Sequence, residues 1–161
     1  VLGCYINLTN TDENSRLKDL EKFKAYIAEN NITNFKVEES INNNEEENAR
    51  VTFHTYVKVF GQKLPAVIVM DESIYVILRV QVIPDIEYMK KKDEFIRCVN
   101  EMNINYKAVK YYLGADNALY LDMYIPNKND DLDGELVMDL LNAITVHLEK
   151  EYPNWMKLLW N

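Results

Sequence analysis

The residues of this chain that could do chemistry are few and scattered. Its two histidines, His54 and His147, share no metal-ligand spacing with each other or with a cysteine, and neither belongs to an HExxH pattern. His54 falls on the polar parity of a strand pattern, and His147 lies one position off an apolar helical stripe. Both positions are typical of surface or boundary histidines, so the sequence predicts neither a bound metal ion nor a catalytic histidine.

One loop resembles the first half of a calcium-binding EF-hand loop. Asn129, Asp131, Asp133 and Gly134 match its opening positions, but the twelfth position, where the motif needs a bidentate glutamate, is Leu140. The alternative is that these acidic residues cap the start of a helix, where carboxylates accept backbone N–H groups and favour the positive end of the helix dipole. The failed second half of the motif favours the cap.

Serines and glycines do not form a catalytic or phosphate-binding motif. The 4 glycines are isolated from one another, so no glycine-rich loop can hold a phosphate. None of Ser15, Ser40 and Ser73 lies in a nucleophile elbow. A pair of carboxylates for acid–base work stays open among 26 acidic residues, but nothing singles one out. The sequence therefore predicts no catalytic residue and no cofactor, and it argues against an enzyme.

Aromatic residues are the feature that remains. The chain has 11 tyrosines, and five of them fall on the strand parity opposite the most apolar one: Tyr56, Tyr75, Tyr112, Tyr120 and Tyr124. If helices cover the other parity, these tyrosines line the free face together with Arg79, Lys110 and Asp122. Such a mixture is typical of protein contact surfaces. The alternative is that tyrosine is simply a good strand former that is often half exposed.

The elements that would position these residues can be read from hydrophobic periodicity. Helical spacing begins at Asn14 or Ser15 and runs to about residue 30, returns at residues 84–105, and returns again before Pro153 with Val137 and Leu141 on the stripe. Strand patterns cover residues 35–38, 51–59, 64–70, 74–83, 106–113 and 118–125. Residues 42–48 contain no apolar side chain and predict a loop.

This order predicts an α+β fold. Connections of three or four residues join neighbouring strands, and such short links allow only antiparallel pairing. We expect an antiparallel sheet of five or six strands in the order α-β-β-β-(β)-α-β-β-α, with the first and last helices on one face. The length of 161 residues fits a single domain, with residues 1–13 as an N-terminal extension and residues 155–161 as a C-terminal tail.

Charge and cysteine usage narrow the partners and the compartment. A net charge of −8 and a pI near 4.8 argue against nucleic acid, which selects basic surfaces. No apolar run approaches the roughly 20 residues of a membrane span. Two isolated thiols, Cys4 and Cys98, indicate a reducing compartment, so we expect a cytoplasmic protein. A lipoprotein anchored through Cys4 is the minor alternative.

The C-terminal residues predict self-association. Trp155, Met156, Leu158, Leu159 and Trp160 place five large apolar groups within six residues. We expect Trp155 and Trp160 to form a homodimer contact, since an exposed apolar patch needs a cover. The alternative is that Trp155 and Leu159, four residues apart on one helix face, fold back onto the core of their own chain.

The same order of elements resembles that of the YbjN-like family of bacterial proteins, whose fold is similar to that of type III secretion chaperones. The likeness runs from about Ser15 to Trp160 and is carried by residues 53–83, 95–103 and 118–121 and by the helix that ends at residues 151–153. It implies a non-enzymatic role, as a sensory transduction regulator or as a chaperone-like holder of a protein client, commonly dimeric. A scaffold subunit of a larger assembly is the runner-up, and a small-molecule enzyme without a recognisable motif comes last.

Overall fold

The computed structural model describes residues 13–40, 50–71, 73–127 and 132–160, and within them the chain forms three helices and six strands. In chain order these are α1 (Glu13–Glu29), β1 (Lys36–Ser40), β2 (Arg50–Val59), β3 (Gln62–Met70), β4 (Tyr75–Ile83), α2 (Lys92–Asn105), β5 (Lys110–Leu113), β6 (Leu119–Pro126) and α3 (Gly134–Trp160). The α+β class and the predicted order, with the optional fourth strand present, are confirmed.

The strands form one antiparallel sheet in the order β1-β2-β3-β4-β6-β5. The β2–β3 connection is a two-residue turn at Phe60 and Gly61, whose φ angles are 49° and 77°. Two positive φ angles are what a tight hairpin turn needs to match the right-handed twist of its strands. Between them β2 and β3 pair along nine residue positions, from Val51–Met70 to Val59–Gln62.

All three helices pack on the same face of the sheet. Phe23 of α1 meets Phe53 of β2 edge to face at 4.9 Å between ring centroids, and Phe95 of α2 lies 5.2 Å from Trp155 of α3. The strand positions beneath the helices are buried and apolar: Phe53, Val57, Leu64, Ile68, Leu78, Val80, Leu119 and Leu121. Period-two alternation therefore divides every strand between a core side and a free side.

Gly134 explains how closely α1 and α3 approach. A Cβ atom at this position would lie 2.5 Å from Cγ of Tyr26, well inside van der Waals contact. Only glycine leaves room for the Tyr26 ring here. The start of α3 is thereby set against α1, close to the end of β6.

Three predicted boundaries were wrong. The second helix begins at Lys92 and not at residue 84, because Asp85 accepts the N–H of Glu87 and Ile86 donates to the carbonyl of Asn117, which fixes this segment in turns. Strand β5 begins at Lys110 and not at residue 106. Pro153 does not end the last helix, which continues to Trp160, so the predicted tail is its final part. The predicted extension, residues 1–13, lies outside the described residues apart from Glu13.

Candidate functional site

The structure places all five selected tyrosines on the sheet face that points away from the helices, which we term the open face. Tyr120 and Tyr124 alternate along β6 with the buried residues Leu119, Leu121 and Met123. Tyr112 follows the buried Tyr111 on β5 in the same way. Since neighbouring side chains of a strand point to opposite faces, the buried residues and the tyrosines occupy opposite sides of the sheet.

Strand register places an ion pair at the centre of four of these tyrosines. Arg79 of β4 is the cross-strand partner of Asp122 of β6, which in turn pairs with Lys110 of β5. The Nε and Nη2 groups of Arg79 donate to the two carboxylate oxygens of Asp122, each at 2.8 Å. Asp122 is 0% exposed, and its hydrogen bond and buried charge raise the pKa of Arg79 further above its ordinary value. The bidentate geometry makes this pair rigid.

Two tyrosine hydroxyls add to the same carboxylate. The hydroxyl of Tyr124 donates to Oδ2 of Asp122 at 2.9 Å, and that of Tyr112 approaches Oδ1 at 3.4 Å. Burial, followed by the bond to Asp122, raises the pKa of Tyr124 to about 12. Burial and the Asp122 charge raise the pKa of Tyr112 as well. Both hydroxyls therefore stay protonated near neutral pH and act as donors.

The rings of this group also contact one another. Tyr112 stacks on Tyr120 at 5.6 Å between centroids with an interplanar angle of 26°, and Tyr75 meets Tyr124 edge to face at 6.2 Å. The hydroxyl of Tyr120 donates to Asp116 at 2.6 Å, which raises the pKa of that tyrosine. We term Tyr75, Arg79, Tyr112, Tyr120, Asp122 and Tyr124 together the tyrosine–arginine cluster.

Cations cover the ring faces of the cluster. The guanidinium carbon of Arg79 lies 5.6 Å from the centroid of Tyr112 and 5.8 Å from that of Tyr120. Nζ of Lys110 lies 5.4 Å from the centroid of Tyr112 and 5.8 Å from that of Tyr124. These distances are within the range of cation–π attraction. The cluster thus offers amphipathic ring edges to a partner, and Lys110 beside it supplies positive charge, because the charge of Arg79 is matched by that of Asp122.

Tyr56 belongs to the same face but not to the cluster. It lies on β2, separated from β6 by β3 and β4, and its ring is covered by Nζ of Lys63 at 4.4 Å. The sequence therefore identified four residues that the fold brings together and one that stands apart on the same surface.

The open face is locally positive although the chain is acidic. Its strand positions carry two carboxylates, Glu38 and Asp122, and six cationic side chains, namely Lys36, Arg50, Lys58, Lys63, Arg79 and Lys110. The net charge of −8 gave no sign of this segregation. The signal that could have shown it was parity, since Arg50 and Lys58 share the polar register of Tyr56 on one strand.

The histidines are not brought to one site. Nε2 of His54 pairs with Glu38 at 2.8 Å near the sheet edge. His147 is half-buried on the helix side, where its Nε2 lies 2.8 Å from the hydroxyl of Tyr111, and burial lowers its pKa below the ordinary value. Within residues 13–40, 50–71, 73–127 and 132–160, no group of three His, Cys, Asp or Glu side chains could hold a metal ion.

Asp133 confirms the capping interpretation of the acidic loop. Its Oδ1 accepts the N–H of Leu136 at 3.0 Å, at the first turn of α3. The other two residues of the half EF-hand pattern, Asn129 and Asp131, lie outside the described residues. Cys98 is half-buried, and burial raises the pKa of its thiol, which makes it a poor nucleophile.

The two tryptophans assigned to a dimer contact have different surroundings. Trp155 is 0% exposed, between Phe95 at 5.2 Å and Tyr111 at 5.1 Å. Its assignment as a dimer contact was wrong, since it is core of its own chain, as the fold-back alternative expected. Trp160 is 81% exposed, so a dimer formed through it stays a prediction.

Among the described residues, none of the helices combines the length and the apolar character needed to cross a bilayer. Comparison of the chain with protein-family models, with curated proteins and with solved structures finds no match. The resemblance to the YbjN-like family therefore stays a prediction.

Proposed function

We propose that this protein is a non-enzymatic binding module that regulates or holds a protein client through its open face. The observation that carries the proposal is the tyrosine–arginine cluster, a preorganised aromatic surface with Lys110 beside it, on a sheet face that no described helix covers. Tyrosine and arginine are among the side chains enriched where protein partners meet.

The side chains of the cluster are held in place before any partner binds, which favours a binding role over tyrosines that are exposed merely as good strand formers. The hydroxyls of Tyr120 and Tyr124 each donate to a carboxylate, and Arg79 is fixed by two hydrogen bonds. Immobilising a flexible side chain at an interface costs about 0.5–1.5 kcal/mol. In this cluster much of that cost is met during folding, so a partner encounters side chains already in place.

The same hydrogen bonds disfavour catalysis at the cluster. A tyrosine that acts as a base or nucleophile needs a pKa lowered toward neutrality, whereas the pKa values of Tyr112, Tyr120 and Tyr124 are raised. Both oxygens of Asp122 already accept hydrogen bonds from Arg79. Its carboxylate is therefore engaged in holding the surface together.

The regulatory form of the proposal is supported by the YbjN-like order of elements. A cytoplasmic location is supported by the free thiol of Cys98. Self-association through Trp160 belongs to the same proposal and would leave the open face available, because Trp160 ends α3 on the helix side of the sheet.

Site-specific photo-crosslinking in cells tests the proposal. A photoreactive phenylalanine derivative replaces Tyr124, which is 40% exposed on the open face, or Val146, which is 59% exposed on α3. We expect a discrete protein adduct from position 124 that is absent from position 146. Equal adducts at both positions, or none at 124 while 146 reacts, would falsify the assignment of the open face.

A further inference from the structure

Strand β6 is longer than the strand that pairs with its outer edge. β6 has 8 residues and β5 has 4, and their register ends at Lys110–Asp122. On the other side β6 pairs with β4 as far as Pro126, opposite Tyr75. Residues 123–126 of β6 therefore form a sheet edge with no strand beside them among the described residues. At roughly 3.3 Å per residue this edge spans about 13 Å.

Two hydrogen bonds show which backbone groups point outward along this edge. The N–H of Asn127 donates across to Ile74, on the β4 side, whereas the carbonyl of Ala118 accepts from Gly114, on the β5 side. In an antiparallel strand the N–H and C=O groups of successive residues alternate between the two neighbours. Both bonds indicate the same alternation, in which the backbone groups of the even-numbered residues of β6 point away from β4. The N–H and C=O of Tyr124 therefore point outward.

A groove of about 480 Å³ lies beside this edge. Leu136 and Leu140 of α3 form its apolar side, and Leu136 is 43% exposed. Residues 107–110 also line the groove and bring the exposed side chains Lys107 and Lys110 to it. An unpaired strand edge, an apolar wall and two cations thus converge on one groove.

We propose that the groove receives an extended acidic segment of the protein client, which adds a strand to β6. This inference rests on the proposed function and specifies the chemistry of the partner. In antiparallel pairing, a partner residue opposite Tyr124 shares its face, so it stands beside Lys110 and should be Asp or Glu. The residues before and after it lie opposite Met123 and Ile125, toward Leu136 and Leu140, and should be apolar.

Other occupants fit the groove less well. A second copy paired through the same edge would present the same groove lining, whose described residues include Lys107 and Lys110 and no acidic residue, so it offers these cations no complementary charge. Single-stranded nucleic acid binds by stacking bases on exposed ring faces, but Arg79 and Lys110 already lie over the rings of Tyr112, Tyr120 and Tyr124. Backbone pairing plus alternating side-chain pockets is instead how a sheet edge selects an extended peptide.

A fluorescein-labelled seven-residue peptide of alternating valine and glutamate, with valine at both ends, tests the inference by anisotropy with the full chain. We expect saturable binding that weakens at least tenfold in Lys110→Glu and at least tenfold when the central glutamate of the peptide is N-methylated. Lys92→Glu, a charge reversal at an exposed position of α2, is the matched control and should change the affinity less than twofold. Amide exchange of Tyr124 should slow at least tenfold at saturation.

Three outcomes would overturn strand addition. The first is binding that ignores N-methylation and leaves the Tyr124 amide unchanged, which would mean adsorption to cations. The second is an absence of binding at millimolar peptide, and a client adduct at position 124 would then leave the proposed function standing. The third is a different occupant of the edge. This occupant would be oligothymidylate, if it binds more tightly than the peptide, or a second copy of the chain, if the dimer buries the Tyr124 amide. Far-ultraviolet circular dichroism verifies that each variant is folded.

Discussion

The β5–β6 pair places tyrosine side chains on both faces of the sheet, and their surroundings differ between the two faces. Tyr111 faces the helices, is 1% exposed and contacts Trp155 and His147. Its neighbour Tyr112 faces outward, is half-buried and contacts Arg79, Tyr120 and Asp122. On the helix side, aromatic rings are fixed by packing against apolar neighbours. On the open face they are fixed by hydrogen bonds and cations around one carboxylate.

The difference indicates that aromatic residues on the helix side contribute mainly to folding stability and those on the open face mainly to binding. Buried aromatic rings contribute through the area removed from water and through close packing. A half-exposed ring contributes less to folding, but it keeps contact area and a hydroxyl for a partner. We therefore expect substitutions on the helix side to change mainly the free energy of unfolding. Matched substitutions on the open face should change mainly binding, apart from the buried Asp122.

The largest expected effect is on the helix side. Trp155→Ala removes a fully buried side chain from between Phe95 and Tyr111, and large aromatic truncations in cores cost about 3–5 kcal/mol. Trp160→Ala, at the exposed end of the same helix, should change the free energy of unfolding by less than about 0.5 kcal/mol. Urea denaturation compares the two. Equal losses would show that the terminal turn of α3 is core throughout.

A second prediction concerns Asp122, the buried residue of the open face. Asp122→Ala leaves the guanidinium of Arg79 without its bidentate partner, and breaking such a pair costs about 3 kcal/mol. The double variant Arg79→Met with Asp122→Leu removes both charges and should recover most of the loss. Denaturation of both variants measures this. If the double variant were as unstable as the single one, the tyrosine hydroxyls and not the ion pair would hold the cluster.

Hydroxyl removal from adjacent tyrosines sharpens the comparison directly. Tyr111→Phe deletes the 2.8 Å partner of Nε2 of His147 and should cost about 1 kcal/mol of unfolding free energy. Tyr112→Phe deletes only a 3.4 Å contact, which is long for an O–H donor, and should cost less than about 0.5 kcal/mol. Thermal unfolding of the pair is the measurement. A reversed order would contradict the division between the two faces.

The smallest expected effect is a pH dependence confined to the helix side. Burial lowers the pKa of His147 below 6.5, and the charge of Lys150 lowers it further against the opposing charge of Glu151. The unfolded chain therefore binds a proton first as the pH falls, so stability is complete above about pH 6.5 and decreases below it. We expect His147→Phe to reduce the decrease in the free energy of unfolding between pH 7.5 and pH 5.5. Val146→Ala, a change at the exposed neighbouring position that does not titrate, is the control and should leave the pH dependence intact.

Sequence parity was sufficient to assign the sheet faces. Tyr120 and Tyr124 alternate with Leu119 and Leu121 on a single strand, so their side of the sheet follows from period two alone. The Arg79–Asp122 pair could be named only as interspersed charge. The two residues are 43 positions apart, and their contact depends on the register of β4 against β6, which local pattern does not determine.

The predicted start of α2 and end of α3 were wrong because contacts between residues distant in sequence decide where these helices begin and end. Pro153 predicts a helix end, because proline lacks an N–H and clashes with the preceding turn. Burial of Trp155 and Tyr152 against the sheet side outweighs that local cost and carries α3 through to Trp160. Likewise, the second helix was predicted to begin at Pro84, but the N–H of Ile86 donates to the carbonyl of Asn117 in the β5–β6 hairpin. Such long-range contacts are absent from any local pattern.

The segregation of charge on the open face makes the molecule an electric dipole. The strand positions of this face carry six cations and two carboxylates, while the chain as a whole carries −8, so the remainder of the protein holds the excess of negative charge. A dipole of this kind turns in the field of an approaching anion before contact is made, and the resulting gain in encounter rate fades with salt as the screening length shortens to about 8 Å at 0.15 M ionic strength. An acidic protein can thereby present itself to acidic partners in one orientation.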